Sequence, residues 1–263
     1  ATLEEALHML DIKPDVCGDV RWIHRHVKGA DWYFVTPLKQ ASFNGKVKFK
    51  AQGAAELWNP VTGEITPLKV EREGEYATVQ LDMPKAGSCF VVFNHDKKQK
   101  NPEAVTYKHT QSIEGKWLVE FPEGWGAAPR LEIETLIPWC NMPLSEEGKA
   151  FSGSVTYSTT FQMPDESKQL MLDLGKVSMI AEVTLNGKKL RTLWCTPYTL
   201  DITNDVKSGD NTLQVKVTST WFNRLVYDAA LPEADRKTWT ISGPSAGSPL
   251  KEYGLLGPVT LKY

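Results

Sequence analysis

No stretch of this chain stays apolar for anything near the ~20 residues that a membrane-spanning helix requires. Positive charge is not in surplus either: 30 Lys and Arg face 32 Asp and Glu, a net charge of −2. The first absence speaks against a helical membrane span. The second removes the counterion release that drives nucleic-acid binding, so no nucleic-acid partner is expected. The longest basic cluster, Lys97-Lys98-Gln99-Lys100, lies beside Asn94, Asp96 and Pro102 and reads as a solvated loop. Cysteine is sparse. Cys17, Cys89, Cys140 and Cys195 stand far apart with no C-x-x-C pair, which argues against a zinc cluster and against a disulfide-stapled miniature scaffold. All five histidines (His8, His24, His26, His95, His109) precede residue 110. The second half therefore cannot by itself assemble a Ser-His-Asp triad, a Cys-His dyad or a His-ligated zinc. The N-terminus lacks the basic-then-apolar layout of a signal peptide. It opens on Ala1-Thr2-Leu3-Glu4-Glu5 rather than Met, which reads as a trimmed product with more chain upstream.

What the chain does have is length, aromatics and alternation. Its 263 residues suggest one large or two ordinary domains, and a 41% hydrophobic share with nine Trp is enough for real cores. Leu3, Ala6, Leu7 and Leu10 at i, i+3, i+4, i+7 behind Thr2 predict a short amphipathic helix, and no second helix is evident. From Val20 onward the pattern is that of strands separated by turn residues. Val47 and Phe49 alternate with Lys46, Lys48 and Lys50. Val155, Tyr157 and Phe161 alternate with Thr156, Ser158 and Thr160, and Leu213, Val215 and Val217 repeat the pattern. Lys28-Gly29-Ala30 is a hairpin candidate, and Asn186-Gly187 is the sharpest turn signal, since both residues tolerate the positive φ of a type I′ turn. The expected fold is mostly β: two consecutive β-sandwich domains after a short N-terminal helix, the second a galactose-binding-like jelly roll by the resemblance given below. The expected organisation is a tail at 1–16, a small β-sandwich at 17–98, a polar linker at 99–115 and the second sandwich at 116–263. Residues 222–257 lose periodicity and read as one long ordered loop.

Chemistry-bearing motifs are few. There is no P-loop and no G-x-G-x-x-G after a strand. Gly124-Trp125-Gly126 and Gly243-Pro244-Ser245-Ala246-Gly247 read as turn chemistry in β loops. His24 and His26 share a strand face, a spacing that two-ligand metal sites use, but no carboxylate pattern beside them supports it, and hydrogen-bonded structural histidines are the favoured reading. Most carboxylates (Asp165, Glu166, Asp201, Asp205, Asp210, Glu233, Asp235) fall in turns, and no pair is assigned a catalytic role. The densest coincidence of aromatic faces with hydroxyl-bonding groups is in the second half: Trp125, Trp139, Trp221, Asn223, Arg224 and Trp239 are the candidate carbohydrate contacts. The alternative for the same residues is that Trp221 and Trp239 pin the long loop while Arg224 bonds its carbonyls.

Two stretches carry a family resemblance. The first is Ile23-His24-Arg25 with Gly29-Ala30-Asp31-Trp32-Tyr33-Phe34-Val35, then Glu56-Leu57-Trp58-Asn59-Pro60 and Cys89-Phe90-Val91-Val92-Phe93. The second is Phe151-Ser152-Gly153, Leu172-Asp173-Leu174-Gly175, Ala181-Glu182-Val183-Thr184-Leu185-Asn186-Gly187, Pro197-Tyr198, Trp221 with Asn223-Arg224-Leu225, and Gly254-Leu255-Leu256-Gly257-Pro258-Val259. In this order the chain resembles the C-terminal, non-catalytic part of glycoside hydrolase family 106, the bacterial α-L-rhamnosidases. Leu185-Asn186-Gly187 with a later Gly-Asp-Asn turn also occurs in the sugar-binding domains of family 2. The resemblance implies a large secreted or periplasmic hydrolase of polysaccharides whose catalytic barrel precedes these β-domains, with residues 1–16 as the tail of that barrel region. It implies a carbohydrate partner, rhamnose-containing polysaccharide among the choices, and an upstream catalytic domain of the same polypeptide. No position here matches the family's catalytic glutamates or calcium ligands, so no cofactor is expected and a structural calcium is left open. Two functions follow: an accessory β-region buttressing a catalytic barrel, or a freestanding carbohydrate-binding module or lectin.

Overall fold

The computed structural model describes residues 2–10, 12–103, 105–163 and 169–263. The turn expected at Asp165-Glu166 lies outside them. The chain divides into two compact units, 1–105 and 106–263.

The first unit opens with helix α1 (Leu3–Met9). Thr2 and Glu5 form a reciprocal cap: Thr2 N donates to Glu5 Oε2 at 2.7 Å and Glu5 N donates to Thr2 Oγ1 at 3.2 Å. Nine strands follow: β1 (Val16–Cys17), β2 (Val20–Val27), β3 (Ala30–Pro37), β4 (Phe43–Phe49), β5 (Ala54–Trp58), β6 (Ile65–Pro67), β7 (Val70–Glu73), β8 (Tyr76–Met83) and β9 (Cys89–Asn94). They form two antiparallel sheets, in the orders β1-β4-β8-β7 and β2-β3-β9-β5-β6. Tyr33, Val35, Val91 and Phe93 from one sheet and Val47, Phe49, Val79 and Leu81 from the other close a single core. The expected alternation in β4 holds, with Val47 and Phe49 buried and the lysines outside.

The two outer faces of this sandwich are opposites. On the four-stranded sheet, Lys46–Glu71, Lys48–Glu73 and Lys50–Glu75 pair at 2.7, 3.2 and 3.7 Å in a solvent-facing ladder. On the five-stranded sheet, cross-strand register sets Ile23 beside Phe34, Phe34 beside Phe90, and Phe90 beside Trp58. Trp32 packs edge-on to Trp58 at 4.9 Å, and Phe34 lies 5.2 Å from Phe90. That face is an aromatic sheet surface with Ile23 and Ile65 more than half exposed at its margins.

The second unit is also an antiparallel sandwich. Its strands are β10 (Thr110–Ser112), β11 (Trp117–Glu120), β12 (Arg130–Ile133), β13 (Ser154–Gln162), β14 (Met171–Asp173), β15 (Lys176–Val177), β16 (Ile180–Leu185), β17 (Lys188–Leu193), β18 (Thr199–Asp201), β19 (Asp210–Thr218), β20 (Leu255–Gly257) and β21 (Thr260–Lys262). A six-stranded sheet, β12-β11-β13-β19-β16-β17, and a four-stranded one, β10-β21-β14-β18, share one core that includes Trp117, Tyr157, Leu172, Val215 and Leu261; β15 pairs with β20 alongside. This is the mostly-β sandwich architecture expected.

Three expectations need correction. Helix is not confined to the first dozen residues: α2 (Glu146–Lys149) is a short turn of helix, and α3 (Phe222–Ala229) is longer than the N-terminal one. It escaped the apolar-periodicity test because its buried face carries Asn223, Arg224 and Asp228 beside Val226. The 222–257 stretch is accordingly not one loop. Nor is all of 99–115 free linker. Thr110–Ser112 pairs with β21, and Gln99 accepts from Ala55 N at 2.9 Å and donates to Leu68 O at 2.7 Å.

The Asn186-Gly187 turn is as expected. Leu185 pairs with Lys188 across a two-residue loop in which φ is +52° at Asn186 and +81° at Gly187. A Cβ at Gly187 would meet no neighbour within 4 Å, so any penalty for a side chain there is one of backbone conformation alone. Gly187→Val should cost about 1–3 kcal/mol, read as a lower unfolding midpoint. An unchanged midpoint would mean that the hairpin does not depend on this turn.

Candidate functional site

The six candidate sugar contacts of the second unit separate once their surroundings are seen. Trp139 is fully buried in the core rather than displayed on a loop. It sits in a 3-10 turn (Trp139–Asn141), with its backbone N–H donating to Tyr253 O at 2.8 Å and its indole Nε1 to Tyr157 Oη at 2.6 Å. Asn223 and Arg224 are buried as well. The Asn223 amide clamps one residue of the following segment, donating to Lys251 O and accepting from Lys251 N, both at 2.8 Å. None of these three presents a group to a sugar.

Arg224 organises what surrounds it. Its backbone N–H donates to Ser152 Oγ at 3.0 Å, satisfying one of the open donors in the first turn of α3. Its guanidinium donates to Glu147 Oε1 on α2 at 2.7 Å and to Asp228 Oδ1 one turn along α3 at 2.6 Å. Nε is buried with no hydrogen-bond partner among the described residues. The same cation lies 5.4 Å from the Trp125 ring centre and 5.1 Å from that of Tyr227. Asp228 accepts from Thr238 N and Oγ1 at 2.7 and 2.6 Å, and Glu147 also takes Lys237 Nζ at 2.8 Å. Residues 237 and 238 are thereby strapped to both helices. Gly126 permits the close approach: its φ is +78°, and a Cβ there would run into the Glu147 side chain. The alternative reading, in which Arg224 bonds loop carbonyls, is thereby replaced: its partners are the carboxylates of Glu147 and Asp228.

Electrostatics makes this cluster a poor source of acid. At Glu147 the hydrogen bonds from Arg224 and Lys237 hold the carboxyl below its usual range. At Asp228 burial works against the charge, but the bonds from Arg224 and Thr238 outweigh it and the carboxyl is again lowered. Both are fixed as anions. The general acid of a glycosidase instead needs a raised pKa.

Trp125 is half-buried, its ring 5.3 Å from Trp221 and flanked by Arg224 and by Lys237 at 5.7 Å. Trp221 is 46% exposed and Trp239 79% exposed. Trp239 borders an open cleft of about 190 Å³ that Asp228, Arg236, Thr238, Thr240 and Pro244 also line. Of the six residues, these two tryptophans are the most exposed. Nearby, Gly243 to Gly247 spells G-x-S-x-G, but it lies in no strand-to-helix elbow, and Ser245 Oγ meets Ser248 Oγ at 3.2 Å.

The first unit contains a cluster that the sequence reading missed in part. The two-residue turn Lys28-Gly29 sets His26 opposite Asp31 and His24 opposite Tyr33. Asp31 receives His24 Nε2 at 3.0 Å, His26 Nδ1 at 2.7 Å and, from beyond the end of β9, His95 Nε2 at 2.9 Å. His24 also meets Asp15 Oδ2 through Nδ1 at 2.9 Å and stacks on Tyr33, whose hydroxyl donates to Asp15 Oδ1 at 3.0 Å. A carboxylate therefore does stand beside the histidines, delivered by the neighbouring strand. Burial opposes its charge, but the bonds from His26, His24 and His95 prevail and lower its pKa.

Two outcomes follow. Arg224→Leu would leave Asp228 buried without its counter-ion, at a cost of about 3–5 kcal/mol, and should open residues 236–250 to proteolysis; a denaturant titration and limited digestion check both. For Asp31 the folded pKa lies below the unfolded one, so its stabilisation is fully present above the ordinary carboxylate value of about 3.9 and disappears as pH falls through the lower folded value. The gap in unfolding midpoint between the natural chain and Asp31→Asn should accordingly be widest near neutrality and narrow on acidification. A gap independent of pH would contradict this.

Comparison with known proteins places these features. Residues 1–72 match the family model described as alpha-L-rhamnosidase, and residues 147–247 the model described as glycosyl hydrolase 2 galactose-binding domain-like. The structure of a rhamnosidase from Novosphingobium sp. PP1Y is similar over 99% of this chain and 26% of its own, with 31% identity and a TM-score of 0.87. A Formosa agariphila protein carrying a provisional β-glucuronidase name is 46% identical over 125 residues, 46% of this chain and 11% of its own length. The chain thus spans about a quarter or less of these relatives. The resemblance to the α-L-rhamnosidase family holds: this chain is similar throughout to one portion of a rhamnosidase, and its second unit is galactose-binding-like.

Proposed function

We propose that this chain is an accessory, non-catalytic β-region of a larger secreted or periplasmic glycoside hydrolase resembling the α-L-rhamnosidases, and that its first unit braces the catalytic domain of the same polypeptide. The observation that carries this reading is the contrast between the outer faces of the first sandwich. A sheet face meant for water is dressed as the Lys–Glu ladder is. An outer face of Trp32, Phe34, Trp58 and Phe90 is instead the composition of a surface covered by protein. The relatives' much greater length supplies a candidate for what covers it. The anionic state of Glu147 and Asp228 supports the non-catalytic part of the proposal.

The exposed Trp239 beside its polar cleft favours a second contribution, contact with carbohydrate, in which the indole takes the C–H face of a sugar ring and Thr238, Thr240 and Arg236 its hydroxyls. A freestanding binding module would rest on that contact alone.

The purified chain should show no turnover of an aryl α-L-rhamnoside, whereas the longer polypeptide should. Turnover by the short chain that is lost on replacing one of its own Asp or Glu residues would end the non-catalytic reading. Ile23→Glu with Ile65→Glu, at the margins of the aromatic face, should leave the short chain's unfolding within about 0.5 kcal/mol of the parent while destabilising the longer polypeptide. Equal behaviour in both contexts would remove the bracing role. For the sugar contact, rhamnose-containing oligosaccharides should quench Trp fluorescence saturably and Trp239→Ala should abolish the effect. No change up to millimolar sugar would leave the cleft without that function.

A further inference from the structure

The outer face of the five-stranded sheet is apolar in the middle and carries unpaired charge along one side only. Alternation along β2 turns Arg21, Ile23 and Arg25 outward, and the strand register continues two rows from them across the sheet. Ile23 leads to Phe34, Phe90, Trp58 and Ile65. Arg25 leads to Trp32, Val92 and Glu56. Val92 is 1% exposed although it lies in this outer row, so the middle of the face is already dry.

The two margins differ in how their charge is spent. On the β5 side the Glu56 carboxylate accepts from Lys97 Nζ at 2.6 Å and from Trp58 Nε1 at 3.2 Å. On the β2 side Arg21 and Arg25 form no ion pair among the described residues, and the Arg25 guanidinium meets only the carbonyl of His24, at 3.2 Å. Asp15 and Asp31 give their carboxylates to the histidines on the inner side of the sheet. Arginine is weakly hydrated, and its planar fork matches a carboxylate with two parallel hydrogen bonds. An arginine carried into an interface without a counter-charge is penalised by desolvation. Whatever covers this face must therefore answer the β2 margin.

We propose that the covering surface is acidic where it meets Arg21 and Arg25: the catalytic domain of the same polypeptide supplies an apolar patch over Phe34 and Phe90 and carboxylates over the β2 margin. This rests on the bracing role proposed above and gives the partner surface its chemistry. A second copy of this chain does not fit the same face. The outward positions of the five strands hold one carboxylate, Glu56, and it is already occupied, so two copies face to face would bring arginines without free acids to receive them.

The test uses the longer polypeptide throughout. Hydroxyl-radical oxidation read by mass spectrometry should modify Trp32 and Trp58 far more slowly than Trp239. Arg21→Gln with Arg25→Gln should lower the unfolding midpoint by about 2–5 °C at low salt, and 0.5 M NaCl should remove about half of that difference or more. Lys46→Gln with Lys48→Gln removes the same charge from the opposite sheet and should shift the midpoint by no more than about 1 °C. Oxidation of Trp32 and Trp58 as fast as that of Trp239 would mean an uncovered face, and the bracing role itself would fall. Slow oxidation with arginine variants that behave like the lysine control, or a shift indifferent to salt, would leave the bracing role standing and overturn the acidic margin. Protection of Trp32 that is lost on dilution, together with a dimer in sedimentation, would assign the face to a second copy and overturn the proposal.

Discussion

The guanidinium of Arg224 holds the irregular half of the second unit to its regular half. Sheets fix their own geometry through backbone ladders, but residues 219 to 254 have no ladder to join, and they depend on one buried cation with carboxylates from two helices. Asp228 passes the constraint on to Thr238, Glu147 passes it to Lys237, and Asn223 on the same helix adds an independent clamp at Lys251. Charge of this kind is expensive to bury, and it persists only when partners surround it. The two rings that flank the guanidinium, Trp125 and Tyr227, take part in that enclosure. What remains outside the enclosure, chiefly Trp239, is free for contact with something else.

The first unit uses its polar groups differently. Its core cluster is built of aliphatic, aromatic and sulfur-bearing side chains, and Asp31 is the buried charged residue of this unit among the described residues. The histidine–aspartate cluster lies where the inner row of β3 runs out beyond Tyr33. Here several donors converge on one acceptor, the inverse of Arg224, where one donor group serves two acceptors. Both units thus end an apolar core with a polar knot, and in both the knot, not the core, sits next to the groups with functional interest.

How much of this could be read from sequence depended on distance along the chain. The strands of β4, β13 and β19 and the hairpin at Asn186-Gly187 were legible because alternation and turn chemistry are local. Helix α3 was not, because beyond the local Asp228 the partners that make Arg224 and Asn223 core-compatible, Glu147, Ser152 and Lys251, are all more than 25 residues away. Trp139, beside Pro138 and Asn141, carries every local mark of a loop, and its burial comes from residues distant in sequence, Phe121, Tyr157 and Tyr253 among them. Two features were nearer to hand. The tight Lys28-Gly29 turn dictates a register that sets His26 against Asp31. The uninterrupted apolar runs Trp32–Val35 and Phe90–Phe93 are the signature of strands shielded on both sides. His95, sixty-four residues from Asp31, had no local signal at all.

Strand β2 stands at the edge of the five-stranded sheet, and an edge is where a sheet can be lengthened by a foreign strand. Here that route is guarded. Arg21 and Arg25 lie on β2 itself and Lys28 follows directly, so an incoming strand would have to desolvate or pair with several positive charges. Arg21 and Arg25 alternate with Ile23, so the same charges also rim the aromatic face, with Arg25 set beside Trp32. Further in, Phe34 and Phe90 carry the apolar surface, so a packed layer has more to gain over the middle of this sheet than a foreign strand has along its β2 edge.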